Sequence, residues 1–176
     1  CLLILGTATS MWDAVLEFPA VEGNLDDEGL CFYNRLADSV AGNEEVAQED
    51  LDELGARCSK ALDVTVKCAC IPFGLCAEEQ SEILETLSEH TPIGANVTFD
   101  ITHGLRHLPM LGLLSAFHIR QARQARILAI YYGAFEATSD GLTPVVSLDF
   151  ALQTMQWIEA VAVLQQTGNL LPVSDA

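Results

Sequence analysis

The chain has 176 residues, half of them hydrophobic, and its 25 Asp and Glu against eight Lys and Arg give a net charge of −17. This apolar content excludes a disordered acidic tail, and the length predicts a single domain over residues 1–176 with a buried core. The charge argues against general binding to DNA, RNA or an anionic membrane surface, because those partners require clustered Lys and Arg.

The hydrophobic pattern alternates between short apolar strands and amphipathic helices. It predicts strands at 2–5, 64–71, 96–101 and 127–132, and helices near 11 and at 44–62, 77–90, 108–124 and 150–166. Segments 135–137 and 145–148 flank a turn containing Gly and Pro, which predicts a hairpin before the last helix. The order predicts an α/β fold with a mainly parallel sheet, helices on both faces and a C-terminal hairpin and helix.

Ligands of such folds bind beyond the C-terminal ends of the strands. Three segments therefore become candidates for a site, residues 6–12, 72–74 and 100–106, with residues 132–135 as a rim.

The segment Asp100-Ile-Thr-His-Gly-Leu-Arg106 joins a predicted strand to a predicted helix. Gly104 allows a ligand to approach the backbone closely, and a helix start offers free N–H groups. Thr102, His103 and Arg106 add a hydroxyl, an imidazole and a guanidinium suited to phosphate. Asp100 is expected to accept hydrogen bonds from loop N–H groups and to shape the turn. The alternative is an ordinary capped junction with a surface arginine.

The segment Gly6-Thr-Ala-Thr-Ser-Met-Trp12 follows the first predicted strand. Its hydroxyl groups and its glycine suit a phosphate or a ribose, although neither G-x-G-x-x-G nor G-K-[ST] is present. The alternative is a polar turn in which Ser10 caps the next helix. Met11 and Trp12 are candidates for stacking on a base, and Trp12 is alternatively a core residue.

Charge is distributed unevenly along the chain. Residues 101–135 contain no Asp or Glu, yet they carry four of the eight basic residues. This window indicates a local anion site within an acidic body. We expect Arg106 to contribute to that site, and Arg120, Arg123 and Arg126 to serve the end of the predicted helix instead.

Signals for catalysis and for metal binding are weaker. A serine-hydrolase elbow, G-x-S-x-G, is missing, and neither Cys-x-x-Cys nor His-x-x-x-His occurs. The six cysteines are expected to be reduced thiols, and no metal or cofactor is expected. His103 fits acid–base chemistry or a hydrogen-bonding role equally well.

Targeting signals are also missing. The strongly apolar stretch 108–117 is too short to span a bilayer, and the N-terminal segment lacks the basic flank of a signal peptide. A cytoplasmic protein is therefore expected.

These motifs together resemble a known family, the CARF proteins, which are the CRISPR-associated Rossmann-fold sensors of type III systems. The opening resembles theirs over Leu2-Leu-Ile-Leu-Gly-Thr-Ala-Thr-Ser-Met-Trp12. The resemblance continues through Ile71-Pro-Phe-Gly74 and the Asp100–Arg106 segment with Leu108-Pro109, and then through Tyr131-Tyr-Gly-Ala-Phe-Glu136, Pro144-Val-Val-Ser-Leu148 and Trp157-Ile-Glu-Ala160. It covers essentially the whole chain and implies a Rossmann-like fold.

The resemblance implies a homodimer that binds a cyclic oligoadenylate second messenger, most often cyclic tetra-adenylate, and allosterically controls an effector in type III CRISPR antiviral defence. A ring with two-fold symmetry suits a two-fold dimer, whose expected face is helix 108–124. The effector domain is expected to be absent from this chain, and DNA, long RNA and membranes are not expected as partners. The alternative is a ring nuclease that slowly cleaves the ring it binds, with candidate catalytic residues Thr9, Ser10, His103 and Arg106.

The candidate segments and the resemblance together give the expected ligand-binding residues. They are Gly6, Thr7, Ala8, Thr9, Ser10, Met11, Trp12, Phe73, Asp100, Thr102, His103, Gly104, Arg106, Tyr132 and Gly133.

Overall fold

The computed structural model describes residues 1–102 and 108–168. The chain divides into two compact units, Cys1–His90 and Thr91–Ala176, which are described one at a time. The expectation of a single domain over residues 1–176 stays a prediction.

The first unit contains a two-stranded parallel sheet. In chain order it has β1 (Leu2–Gly6), a 3-10 turn (Trp12–Val15), α1 (Pro19–Glu22), α2 (Asp27–Ala41), α3 (Gln48–Leu62), β2 (Val66–Cys70) and α4 (Ala77–His90). The two strands pair in register from Leu2 opposite Val66 to Gly6 opposite Cys70. Their C-terminal ends therefore share one edge, where the predicted first loop begins.

The core of this unit lies among the 3-10 turn, α2, α3 and β2. Its largest buried side chains include Trp12, Leu51 and Leu54. Helix α3 packs closely on β2 at Gly55. A Cβ built on this residue would lie 3.0 Å from the carbonyl oxygen of Val66. Only glycine permits this approach without a shift of the backbone.

Helix α2 was not predicted. The stretch 22–63 is rich in acidic residues, and only helix 44–62 was expected there. In the structure Asp26 caps α2 by accepting a hydrogen bond from the Gly29 N–H at 2.8 Å. Phe32 and Leu36, one turn apart, bury the inner face of the helix, while the acidic residues remain on its outer face.

The second unit contains a three-stranded mixed sheet in the order β3-β4-β5. It has β3 (Asn96–Asp100), α5 (Leu108–Ala122), β4 (Arg126–Gly133), a 3-10 turn (Phe135–Ala137), β5 (Val145–Ser147) and α6 (Asp149–Thr167). Strands β3 and β4 are parallel, with Asp100 opposite Tyr131. Ala116 of α5, Ile130 of β4 and Leu152 of α6 form the centre of its core.

The predicted hairpin exists, but its first strand was assigned wrongly. Residues 135–137 form the 3-10 turn, and β5 pairs in antiparallel fashion with the end of β4, Gly133 lying opposite Val145. The reason is that β4 continues to Gly133. Its last residues offer the N–H and carbonyl groups with which β5 pairs, before the chain enters the 3-10 turn.

The predicted α/β class, with parallel strands and a C-terminal hairpin and helix, is confirmed. Within residues 1–102 and 108–168, no helix has both the length and the apolar character required to cross a bilayer.

Candidate functional site

The first loop, residues 6–12, is held closed by its own hydroxyl groups. The Thr7 N–H donates to Ser10 Oγ at 2.8 Å, and the Ser10 N–H donates back to the Thr7 carbonyl oxygen at 3.0 Å. The two hydroxyl oxygens are 3.1 Å apart. Ser10 therefore does not cap the following 3-10 turn, which has no side-chain cap, and the capping prediction is wrong. Its side chain instead satisfies a backbone N–H within the loop.

Trp12 anchors this loop from the core of the unit. Its side chain is only 2% exposed, and the indole N–H donates to the Thr7 carbonyl oxygen at 2.9 Å. A Cβ built on Gly6 would lie 2.8 Å from Trp12 Cζ2 and 3.0 Å from Ser10 Oγ, so glycine is required for this packing. Trp12 is thus a core residue, as the alternative reading of the sequence held, and its ring is not exposed for stacking. Met11, in contrast, is 71% exposed.

Two backbone hydrogen bonds tie the first loop to distant parts of its unit. The Val46 N–H donates to the Ala8 carbonyl oxygen at 2.9 Å, and the Ile71 N–H donates to the Gly6 carbonyl oxygen at 2.8 Å. The second bond brings the segment after β2, which carries the half-exposed Phe73, to the same edge as the first loop. Thr9 lies between anchored residues, and its side chain is half-buried.

The second loop begins with a small network at the ends of β3 and β4. Asp100 Oδ1 accepts from the Thr102 N–H at 2.9 Å, which confirms the expected turn-shaping bond. Thr102 Oγ1 accepts from the Gly133 N–H at 2.7 Å, and a Cβ on Gly133 would lie 2.9 Å from Thr102 Cγ2. The two strand ends are therefore locked together. Next to them, the Tyr132 hydroxyl makes a long bond of 3.5 Å to Glu136 Oε2.

Three predicted residues of the second loop, His103, Gly104 and Arg106, lie outside the described residues. Their roles in ligand binding or catalysis stay predictions.

The arginines after the second loop have structural contacts. Arg120 pairs with Glu159 at 3.7 Å, and Arg123 Nε donates to the Thr91 carbonyl oxygen at 2.9 Å. Both contacts are structural, and the expected role of these side chains at the end of α5 stays a prediction. For Arg126, at the start of β4, the expectation stays a prediction.

Two residues that stabilise the first unit near this edge were not predicted. Val46 holds the first loop, and the Gln48 side-chain amide donates to the Cys68 carbonyl oxygen and accepts from the Cys70 N–H, at 3.0 and 3.2 Å. Gln48 thereby occupies hydrogen-bonding groups of β2 that a further strand would use. No local pattern signals such contacts, since they depend on how α3 packs against β2.

The thiols near this sheet are poor candidates for chemistry. Burial, with smaller contributions from Cys58 and Asp52, raises the pKa of Cys68 to about 12. Burial also raises the pKa values of Cys58 and Cys70. Because the thiolate is the reactive form, these shifts lower the reactivity of the three groups at neutral pH. Among residues 1–102 and 108–168, no three His, Cys, Asp or Glu side chains are grouped so as to hold a metal ion.

No protein-family model matches the chain. Among curated proteins, the chain is similar to CRISPR-associated protein MJ1674 of Methanocaldococcus jannaschii. The two are 25% identical over 185 aligned positions, which cover 98% of this chain and 29% of the relative. The chain therefore spans less than a third of the length of the relative it matches.

Proposed function

We propose that this chain is the ligand-sensing domain of a CRISPR-associated protein. In this proposal it binds a cyclic oligoadenylate, with cyclic tetra-adenylate as the first choice, at a site shared by two copies of the chain, and it controls an effector in antiviral defence. The carrying observation is the similarity to a CRISPR-associated protein along 98% of the chain. The ligand class rests on the resemblance of the loop motifs to CARF proteins.

The first loop supports the proposal through its chemistry. Thr9 and Ser10 bring half-buried hydroxyl groups to the C-terminal end of β1, where α/β folds bind ligands, while the Thr7 side chain is buried and braces the loop against Ser10. The internal hydrogen bonds and the Trp12 anchor hold the loop in one conformation before any ligand arrives. Such preorganisation lowers the entropy that a ligand must overcome on binding.

The second loop supports it through charge. Residues 101–135 contain Arg106 and no acidic residue, in a chain whose net charge is −17. Thr102, fixed between Asp100 and Gly133, marks where this loop leaves the sheet. A compact anion such as a cyclic nucleotide would be attracted to this window, while long RNA would meet the acidic remainder of the chain.

The two-copy site and the effector are further parts of the proposal. A ring with two-fold symmetry can receive the same loops from each of two copies. An effector fits the length of the relative, of which this chain covers 29%. The proposal includes a cytoplasmic location.

A thermal-shift panel with cyclic tri-, tetra- and hexa-adenylate and linear tetra-adenylate tests the function. A ligand at about 100 times its Kd stabilises the fold by about 2.7 kcal/mol, which for a chain of this size raises Tm by roughly 5–10 °C. We expect this rise for one ring size, and we expect Arg106→Ala to reduce it to about half or less.

Arg126→Ala is the matched control, because it removes the same charge from the same acid-free window at the start of β4. No shift with any ring would contradict the sensing function. Analysis of the same samples for linear products tests the ring-nuclease alternative: linear products would support it, and an intact ring after hours with stoichiometric protein would exclude it.

A further inference from the structure

Helix α3 lies along the outer edge of β2, which is the edge opposite β1. The chain bonds to β1 at both ends of β2: the Leu2 N–H donates to the Thr65 carbonyl oxygen, and the Ile71 N–H donates to the Gly6 carbonyl oxygen, each at 2.8 Å. Because backbone groups alternate between the two edges of a strand, the even-numbered residues between positions 65 and 71 direct theirs to the outer edge. These residues are Val66, Cys68 and Cys70.

Two side chains of α3 bond to this outer edge, one at each end of the strand. At the start of β2, the Val66 N–H donates to Ser59 Oγ at 2.8 Å. At its end, Gln48 Nε2 donates to the Cys68 carbonyl oxygen at 3.0 Å, and Gln48 Oε1 accepts from the Cys70 N–H at 3.2 Å. The helix therefore runs antiparallel to the strand and is bonded to it along its whole length.

The sequence of α3 makes this contact possible. At 100° per residue, Gln48, Gly55 and Ser59 lie within about 40° of one another around the helix axis. Gly55, between the other two, allows the helix backbone to approach the strand closely. Asp52, one turn after Gln48, accepts from Gln48 Nε2 at 2.9 Å. The Gln48 amide is therefore bonded through both its nitrogen and its oxygen, which holds it in one orientation.

The start of α3 also reaches the first loop. The Val46 N–H, two residues before Gln48, donates to the Ala8 carbonyl oxygen at 2.9 Å. Cys70, whose N–H bonds to Gln48, is followed directly by the 71–74 segment. Residues 46–48 are thus bonded on one side to the first loop and on the other to the strand end that leads into the 71–74 segment. Both segments carry residues expected to bind the ligand.

We propose that Gln48 is a positioning residue, which fixes the spacing between the first loop and the 71–74 segment. It acts on the 71–74 segment through Cys68 and Cys70, and on the first loop by holding the start of α3 in place. Two segments that keep their spacing before a ligand arrives lower the entropic cost of binding. The effect on ligand affinity rests on the proposed function, whereas the effect on the spacing does not.

Hydrogen exchange in the ligand-free chain tests the positioning role. Gln48→Ala removes both bonds to β2, and we expect the Val46 and Ile71 amides to exchange at least about 10-fold faster. Ser59→Ala is the matched control, because it frees the opposite end of the same strand from the same helix. It should speed exchange at Val66 and leave Val46 and Ile71 within about 2-fold. Unchanged exchange at Val46 and Ile71 in Gln48→Ala, or an equal increase there in both variants, would overturn the inference.

Titration of cyclic tetra-adenylate into the same variants gives a second readout. We expect Gln48→Ala to weaken binding by about 10-fold and Ser59→Ala by less than about 2-fold, whereas a general loss of stability would affect both alike. Equal affinities of the two variants for the ring would overturn this inference alone. If no ring binds to the unmodified chain, the proposed function is overturned, and the exchange at Val46 and Ile71 decides this inference. Circular dichroism verifies that both variants remain folded.

Discussion

Trp12→Phe tests whether the first loop is held by the indole N–H, as the structure indicates. The substitution keeps an aromatic ring in the core but removes the hydrogen bond to the Thr7 carbonyl oxygen. That oxygen retains its bond from the Ser10 N–H, so the loss is that of one buried hydrogen bond, about 0.5–1.5 kcal/mol. The smaller ring leaves a void of about 40 Å³ that costs about 1 kcal/mol more.

The expected loss in the free energy of unfolding is therefore about 2 kcal/mol, which lowers the urea midpoint by about 1 M. Urea unfolding followed by far-ultraviolet circular dichroism measures it without relying on tryptophan emission. Trp157→Phe is the matched control, because it removes the other indole from a site that is 63% exposed. If Trp12→Phe lowered the free energy of unfolding by less than about 0.5 kcal/mol, and by no more than Trp157→Phe does, the role assigned to Trp12 would be refuted.

Three other predictions concern the same unit and its controls. Gly6→Ala should destabilise the fold by about 1–3 kcal/mol in urea unfolding, because its Cβ would lie 2.8 Å from the Trp12 ring. Gly112→Ala in α5 should cost less, because its Cβ would meet the Ile101 Cγ2 methyl at 3.2 Å but alanine favours the helix. The hydrogen bond from the Gly29 N–H holds the pKa of Asp26 below its ordinary value. The stability that results is present above the pKa of Asp26 in the unfolded chain and is lost as the pH falls through its pKa in the folded protein. Asp26→Asn should therefore make the urea midpoint depend less on pH below about pH 4. The same pH dependence in the variant and the unmodified protein would contradict this. A thiol reagent should rapidly modify the three exposed cysteines, Cys1, Cys31 and Cys76, in the native protein. Fast modification of Cys58 or Cys68 would contradict the burial of those two thiols.

Hydrophobic periodicity predicted most of the elements because burial in this chain follows it. The alternating pattern of β3 and the apolar spacing of α4 on Ile83 and Leu87 are visible in the sequence and in the structure. Helix α2 was missed since its buried face depends on only a few side chains within an acid-rich stretch, and its cap at Asp26 resembles the other surface acids in that stretch. The periodic signal was present, with Phe32 and Leu36 one turn apart, but the acidic composition of the stretch outweighed it.

The candidate site was only partly accessible to sequence reasoning, for a different physical cause. The loops were found because strand ends are local features, but the direction of the Ser10 hydroxyl was not, since a serine can bond N–H groups on either side of it. Trp12 is buried beneath the loop because it packs against Gly6, and Val46 reaches Ala8 from a distant segment. Such contacts arise only when the chain is folded.

Calorimetric titration of cyclic tetra-adenylate into the chain tests the central proposal most directly, because it measures affinity and stoichiometry together. We expect binding with a Kd between about 1 nM and 1 μM, at one ring per two chains, and at least about 10-fold weaker binding for Arg106→Ala. No binding at about 100 μM, or one ring bound to each single chain, would contradict it.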